Sequence, residues 1–210
     1  MRKITPYKTT RNALAVLDNG GRFYNWASKA NDSNITSAEL GKTVGAFSSQ
    51  QVKMLFLEMA ISDLTEEGKK QIKQSLTDDL KADLSKYPVK HLKPSEAKSK
   101  AQTGESAIIT GIPRLIDAKT KFTGFIMIPI KVNNVTTFSM IPIYQQYDVY
   151  ELRDHKTSKE VLIAHSKRAR KLPEKTLKCG GILKELKADK KKKSASNLFL
   201  ETLYYAEITR

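Results

Sequence analysis

Phe125–Ile143 reads FIMIPIKVNNVTTFSMIPI. A hexamer of the form Phe-x-Met-Ile-Pro-Ile occurs twice, once on each side of Val-Asn-Asn-Val. Isoleucine, valine, phenylalanine and threonine dominate the stretch, and these residues favour extended chain. Asparagine tolerates the positive φ of a tight hairpin turn, so Asn133-Asn134 is expected to form a two-residue loop. That turn fixes the register: Phe125 faces Pro142, Met127 faces Met140, and Pro129 faces Phe138. Val132 and Val135 flank the turn as a hydrogen-bonded pair, and pair types alternate outward from it. Both prolines then fall at non-hydrogen-bonded pairs, where a missing N–H costs nothing inside the hairpin. Each instead removes a donor from an outer edge. A hairpin with outer edges interrupted at Pro129 and Pro142 is expected.

Both faces of this hairpin are apolar, so both need cover. Burial in the core is the leading reading. An interaction arm or dimer contact, with Phe125, Met127, Phe138 and Met140 on one face, is the second. Membrane insertion ranks below both, because a membrane barrel strand carries one polar face and this hairpin has little.

Periodicity changes along the chain. Before the hairpin it is helical. Thr36-Ser-Ala-Glu39 is a capping box, and Ile35 with Leu40 suits a hydrophobic staple, so a helix is expected from Ser37 to about Val44. Shorter helices are expected over Asn12–Leu17 and Arg22–Lys29. Val52, Leu55, Phe56, Met59 and Ala60 form one apolar stripe behind a Ser48 or Ser49 cap. Ile72, Leu76, Leu80 and Leu84 form another, expected on a single long helix from Thr65 to Lys86. Glu66, Glu67, Asp78 and Asp79 belong to its solvated side.

Pro88, Pro94 and Gly104 mark residues 88–104 as a linker. Beyond it, strands are expected over Ala107–Ile116, around the hairpin, and over Tyr147–Leu152 and Val161–Ala164. Residues 182–187 suit helix or strand. Leu198–Ile208 is expected as a strand with Leu198, Leu200, Thr202, Tyr204, Ala206 and Ile208 on one face. The expected fold is α+β: a helical region over 1–87, a linker, and a mainly antiparallel β domain over 105–210 built of hairpins, a sheet or an open barrel.

The 210 residues carry a net charge of +15, with 40% hydrophobic and 28% charged residues. A packed core is therefore expected rather than global disorder. The charge is concentrated: residues 156–193 hold 14 Lys/Arg and 4 Asp/Glu, so this segment alone carries +10. Two clusters stand out, Lys167, Arg168, Arg170 and Lys171 within HSKRARK, and Lys190, Lys191, Lys192 and Lys193. Cations so dense attract polyanions, nucleic acid first among them. Tyr147, Tyr150, Tyr204 and Tyr205 are candidates for stacking on bases.

Catalysis finds little support. One cysteine, Cys179, and three histidines allow neither a disulfide nor a thiolate zinc site, and Cys179 has no evident histidine partner. Gly20-Gly21 lacks the strand-and-helix context of a phosphate loop. Lys29–Leu40 resembles the end of an EF-hand loop, with Asp32, Ile35 and Glu39 at its fifth, eighth and twelfth positions. Yet Ala30 and Ser33 replace residues that calcium binding needs, and capping already explains Thr36 and Glu39. No cofactor or metal is expected. The opening MRKITPYKTT has no apolar run behind its basic residues, and no 18-residue apolar run follows, so an intracellular, reducing location in the cytoplasm is expected.

These observations lead to a non-enzymatic binding or accessory protein that holds a polyanion through residues 156–193. The alternative is a protein-interaction or assembly component that uses the 125–143 hairpin, joining a protein partner or further copies of itself.

Overall fold

The computed structural model describes residues 2–20, 30–45, 48–116, 124–132, 135–142, 146–154, 160–185, 187–188 and 198–208, with backbone alone for the two hairpin strands and 187–188. Two compact units divide the chain, Lys3–Lys90 and His91–Arg210 with Met1–Arg2. A two-residue strand, β1 (Arg2–Lys3), opens the chain.

Among the described residues the first unit holds five helices: α1 (Thr10–Leu17), α2 (Ser37–Val44), α3 (Gln50–Ala60), α4 (Glu66–Gln74) and α5 (Asp78–Lys86). Short polar side chains set their starts. Thr9, Thr36, Ser49 and Thr65 each accept a hydrogen bond from an amide in the first turn. At α2 the capping box is complete. Glu39 reaches back to the Thr36 amide at 2.8 Å and also accepts from the Gly20 amide at 2.6 Å.

The stripe expected on α3 widens into a helix buried on most sides. Every residue from Met54 to Ala60 is buried, and Glu58 among them pairs with Lys73 at 2.7 Å.

The single helix expected over 65–86 is two helices. Ile35 interrupts it by forming a parallel bridge to Leu76. The Ile35 amide donates to the Ser75 carbonyl at 2.7 Å, and the Thr77 amide donates to the Ile35 carbonyl at 3.0 Å. Those groups are then lost to a continuous helical ladder. Apolar period alone cannot detect the break, because Ile72, Leu76 and Leu80 are buried on either side of it. The helix expected over 22–29 lies outside the described residues.

The residues expected as a linker carry β2 (Val89–Leu92) and α6 (Pro94–Lys100). After them come β3 (Ser106–Ile116), β4 (Gly124–Val132), β5 (Val135–Pro142), β6 (Tyr147–Arg153), β7 (Glu160–Ser166), β8 (Leu177–Glu185), β9 (Lys187–Ala188) and β10 (Leu198–Glu207).

Five of these strands close on themselves. Antiparallel pairs join β3 to β6, β6 to β7, β10 to β8 and β8 to β3, and a parallel pair joins β7 to β10. The mixed α and β content matches expectation. The sheet differs, since the barrel is closed and contains one parallel pair. Strand β1 lies beyond β10, and β2 lies beside β3.

Register measures the closure. Ser106 on β3 faces Ile182, which faces Glu201, which faces Ala164, which faces Val149, which faces Ile116 back on β3. One circuit returns to β3 ten residues further along. Such a stagger tilts the strands steeply and lets side chains fill a small barrel. Strand β3 must bend to pair first with β8, up to Gly111, and then with β6, from Ile112. A Cβ on Gly111 would sit 2.5 Å from the Arg153 carbonyl oxygen, so the corner needs glycine.

The interior is lined by Ile109, Tyr150, Leu152, Ile163, Leu183 and Leu200 among others. Alternation along β10 breaks where the register shifts between Thr202 and Tyr204. Leu200 points into the barrel before the shift and Tyr205 after it. The expected single face through Leu198, Thr202, Tyr204 and Ile208 is therefore wrong, because a bulge inserts one residue and reverses the sides.

The hairpin has the expected register, with Phe125 opposite Pro142, Met127 opposite Met140 and Pro129 opposite Phe138. The Asn133-Asn134 turn lies outside the described residues. Strand β9 adds to the outer edge of β4 at Gly124 and Phe125 only, well short of Pro129.

In chain order β3, β6, β7, β8 and β10 are strands one to five, and around the barrel they run 1-2-3-5-4-1. This is a five-stranded Greek-key barrel of the OB type.

Candidate nucleic-acid interface

The basic run HSKRARK begins inside the barrel and ends outside it. His165 is fully buried, and its Nε2 donates to the Arg170 carbonyl at 2.7 Å. Its ring meets the edge of Tyr150, centroids 6.0 Å apart. Burial holds the imidazole below its ordinary pKa of 6.5, which favours the neutral form that makes this bond. The Tyr150 hydroxyl accepts from the Leu172 amide at 3.2 Å, and Leu172 itself enters the barrel core. Two bonds from the interior thus pin the connection between β7 and β8.

Outside, that connection turns at once. The Lys167 amide donates to the Gln146 carbonyl at 3.1 Å, one step beyond the Tyr147–Ser166 pair, and the Ala169 amide donates to the Ser166 carbonyl at 3.0 Å. Lys167, Arg168, Arg170 and Lys171 are all exposed. Four of the eight expected nucleic-acid-binding residues therefore share one short, anchored turn. The other four, Lys190–Lys193, lie outside the described residues, in the connection that follows β9.

Two further cations of the basic region form ion pairs. Lys184 pairs with Glu201 at 2.6 Å and Lys175 with Glu207 at 2.6 Å. Arg153, just before the region, pairs with buried Glu151 at 2.9 Å.

The tyrosines divide. Tyr150 and Tyr205 belong to the barrel core and Tyr204 is buried, so none of the three offers a ring to a base. Strand alternation turns Tyr150 inward, and the β10 bulge does the same for Tyr205. Tyr147 is half-buried on the outer side, where it packs beside Val149, Ala164 and Phe199. Its hydroxyl donates to Glu201. Burial, and then that bond to a carboxylate, raise its pKa, so the phenol is neutral.

A cavity of about 410 Å³ opens here, lined by Gln146, Tyr147, Ser166, Lys167 and Arg168. A second, of about 490 Å³, is lined by His91, Leu92, Lys93, Glu96, Ile108, Thr110 and Asp154. Its walls mix both charges over an apolar floor, which gives an anion no clear preference. Gln146 and Ser166 were invisible to sequence reasoning. Neither is charged, and only the β6–β7 pairing brings them together.

The hairpin occupies the connection between the first and second barrel strands. Its partner β9 begins the connection between the fourth and fifth. The contact of β4 with β9 therefore joins these two connections. The side chains of Phe125, Met127, Phe138 and Met140 lie outside the described side chains.

Cys179 sits in the barrel core, where burial pushes its thiol up to about 12. It is not a poised nucleophile. The neighbouring Gly181 answers a close approach: a Cβ there would sit 2.2 Å from the Glu201 carbonyl oxygen. In the helical unit, the loop that resembles an EF-hand closes around Asp18. This buried carboxylate accepts from the amides of Asn31, Asp32 and Ser33 at 2.7, 3.3 and 2.8 Å. Glu39 is spent on its cap.

No protein-family model matches the chain, and no curated protein matches it. No described helix is long and apolar enough to cross a membrane.

Proposed function

We propose that this protein binds single-stranded nucleic acid without catalysing a reaction on it. In OB-type barrels the face of the second and third strands, bordered by the connections between strands one and two and between four and five, holds an oligomer. One observation carries the reading. Of the net charge of +15, +4 falls at Lys167–Lys171 between β7 and β8 and +4 at Lys187–Lys193 after β8, and the start of the latter segment, Lys187–Ala188, is laddered to the first connection through β4 and β9. Exposed cations at the end of a rigid strand pair, such as Lys167 and Arg168, suit the backbone of a flexible single strand.

Titration of labelled thymine oligomer, mixed-sequence RNA and duplex DNA at two salt concentrations tests this. Tighter binding to single strands, falling steeply with salt, is expected. Absence of binding at about 50 mM salt overturns the proposal.

One observation favours a second reading, in which the hairpin joins a protein partner or another copy. Among the described strands β5 pairs with β4 alone, and β4 gains β9 at two residues only. Much of both outer edges is thus without a described partner strand. Light scattering separates the two: a monomer at every concentration removes self-assembly.

A further inference from the structure

We infer that the cavity lined by Gln146, Tyr147, Ser166, Lys167 and Arg168 is a subsite for one nucleotide of a single strand, with the phosphate on Lys167 and Arg168 and the base against the Tyr147 ring. This rests on the nucleic-acid reading above and deepens it.

Charge is the first argument. Among the described lining residues two are cations and none is an acid. Glu201, the carboxylate that Tyr147 contacts, is already satisfied. One of its oxygens accepts from Tyr147 and the other pairs with Lys184 at 2.6 Å. An arriving phosphate thus meets a locally positive site.

The second argument concerns what Tyr147 has left to offer. Its hydroxyl is committed to Glu201, and that bond orients the side chain. The ring remains, and a base stacks on an aromatic ring whatever its identity. Raised in pKa, the phenol adds no negative charge beside the phosphate.

Rigidity is the third. The cavity rim is held by the Lys167–Gln146 and Ala169–Ser166 backbone bonds, and the connection behind it by His165 and Tyr150. A site held this way loses little freedom on binding. A volume of about 410 Å³ lies within the range of roughly 300–1,000 Å³ usual for small-ligand sites.

The test uses the full chain and a thymine oligomer carrying iodouracil. Photo-cross-linking followed by peptide mass spectrometry is expected to mark Tyr147. Tyr147→Ala is expected to weaken oligomer binding about tenfold, while Tyr147→Phe stays within about threefold because the ring persists. Tyr147 also packs against apolar neighbours, so its loss can disturb folding. The exposed pair Lys167→Glu with Arg168→Glu carries the test without that risk. It is expected to weaken binding and to lower the salt slope by about 1.4, the value for two lost single-strand contacts.

If wild type binds and neither Tyr147→Ala nor the double reversal changes it, the subsite is overturned and the binding reading stands. If wild type does not bind, both fall. Thymidine monophosphate saturating the protein at the same concentration as the oligomer would overturn the assignment to a strand in favour of a free nucleotide.

Discussion

The helical unit buries the carboxylates of Asp18 and Glu39, the barrel half-buries that of Glu201, and the two satisfy them differently. Asp18 and Glu39 are each 2% exposed, and backbone amides of nearby loops and helix starts satisfy them. In the barrel, Glu201 on β10 is held by Tyr147 from β6 and Lys184 from β8, side chains of separate strands. The first arrangement is assembled by short segments that carry their own donors. The second exists only once three strands are in register. Disturbing a loop in the helical unit should therefore have a local cost, whereas disturbing register in the barrel should cost the whole sheet.

The largest expected effect tests the barrel side. Gly181→Ala places a carbon against the backbone of β10 next to the bulge, where no rotamer change can relieve the overlap. A loss above about 3 kcal/mol in denaturant unfolding is expected. Near-wild-type stability would mean that the β8–β10 approach is not a constraint, and the contrast would fail.

Next comes the helical side. Asp18→Ala removes the side-chain acceptor of three amides, two of them on Asn31 and Ser33, whose φ values of 58° and 70° are left-handed, and leaves Asn31 only its longer bond to the backbone carbonyl of residue 18 at 3.3 Å. A cost of about 2 kcal/mol is expected, with the barrel's amide-exchange protection unchanged. Loss of protection throughout β6, β7 and β10 would show that the effect is not local.

A smaller effect separates the two regions by pH. His165 is neutral in the barrel, with its pKa held below 6.5 by burial, while in the unfolded chain it titrates near its ordinary value. As pH falls through about 6.5 the unfolded state takes up a proton that the folded state resists, so stability present at neutral pH declines. His165→Gln is expected to flatten this part of the profile between about pH 7 and pH 5. An unchanged slope would place the titration elsewhere.

The smallest effect is a gain or near-neutrality. The Thr202 hydroxyl, at the β10 bulge, is buried with no hydrogen-bond partner among the described residues. Thr202→Val keeps the shape and removes the stranded polar group. A change under about 1 kcal/mol, in the stabilising direction, is expected. Clear destabilisation would reveal a partner for the hydroxyl and sharpen the picture of the bulge.

Part of the candidate site was legible. Lys167, Arg168, Arg170 and Lys171 announce themselves as a charge run, and Tyr147 is one of four tyrosines that are candidates for stacking. The cavity was not legible. Gln146 and Ser166 are 20 positions apart in the chain and become neighbours because β6 and β7 pair Tyr147 with Ser166. Nor could charge show that His165 points inward as an anchor, or that Lys184 and Lys175 are already paired.

By itself the sequence determined what is settled within a few residues. It carries the Thr36–Glu39 capping box, the start of α3 at Ser48 or Ser49, and the pairing of Phe125 with Pro142 and Met127 with Met140. Caps and tight turns satisfy their hydrogen bonds locally, so residue types at fixed spacing suffice. Only the tertiary structure decided the rest. Ile35 splits α4 from α5 by claiming Ser75 and Thr77 from 40 residues away. The bulge after Thr202 turns Tyr205 inward, and the barrel closes with a ten-residue stagger. Each depends on long-range pairing, and closure sums the registers of five separate pairings, none of which a short stretch of sequence encodes alone.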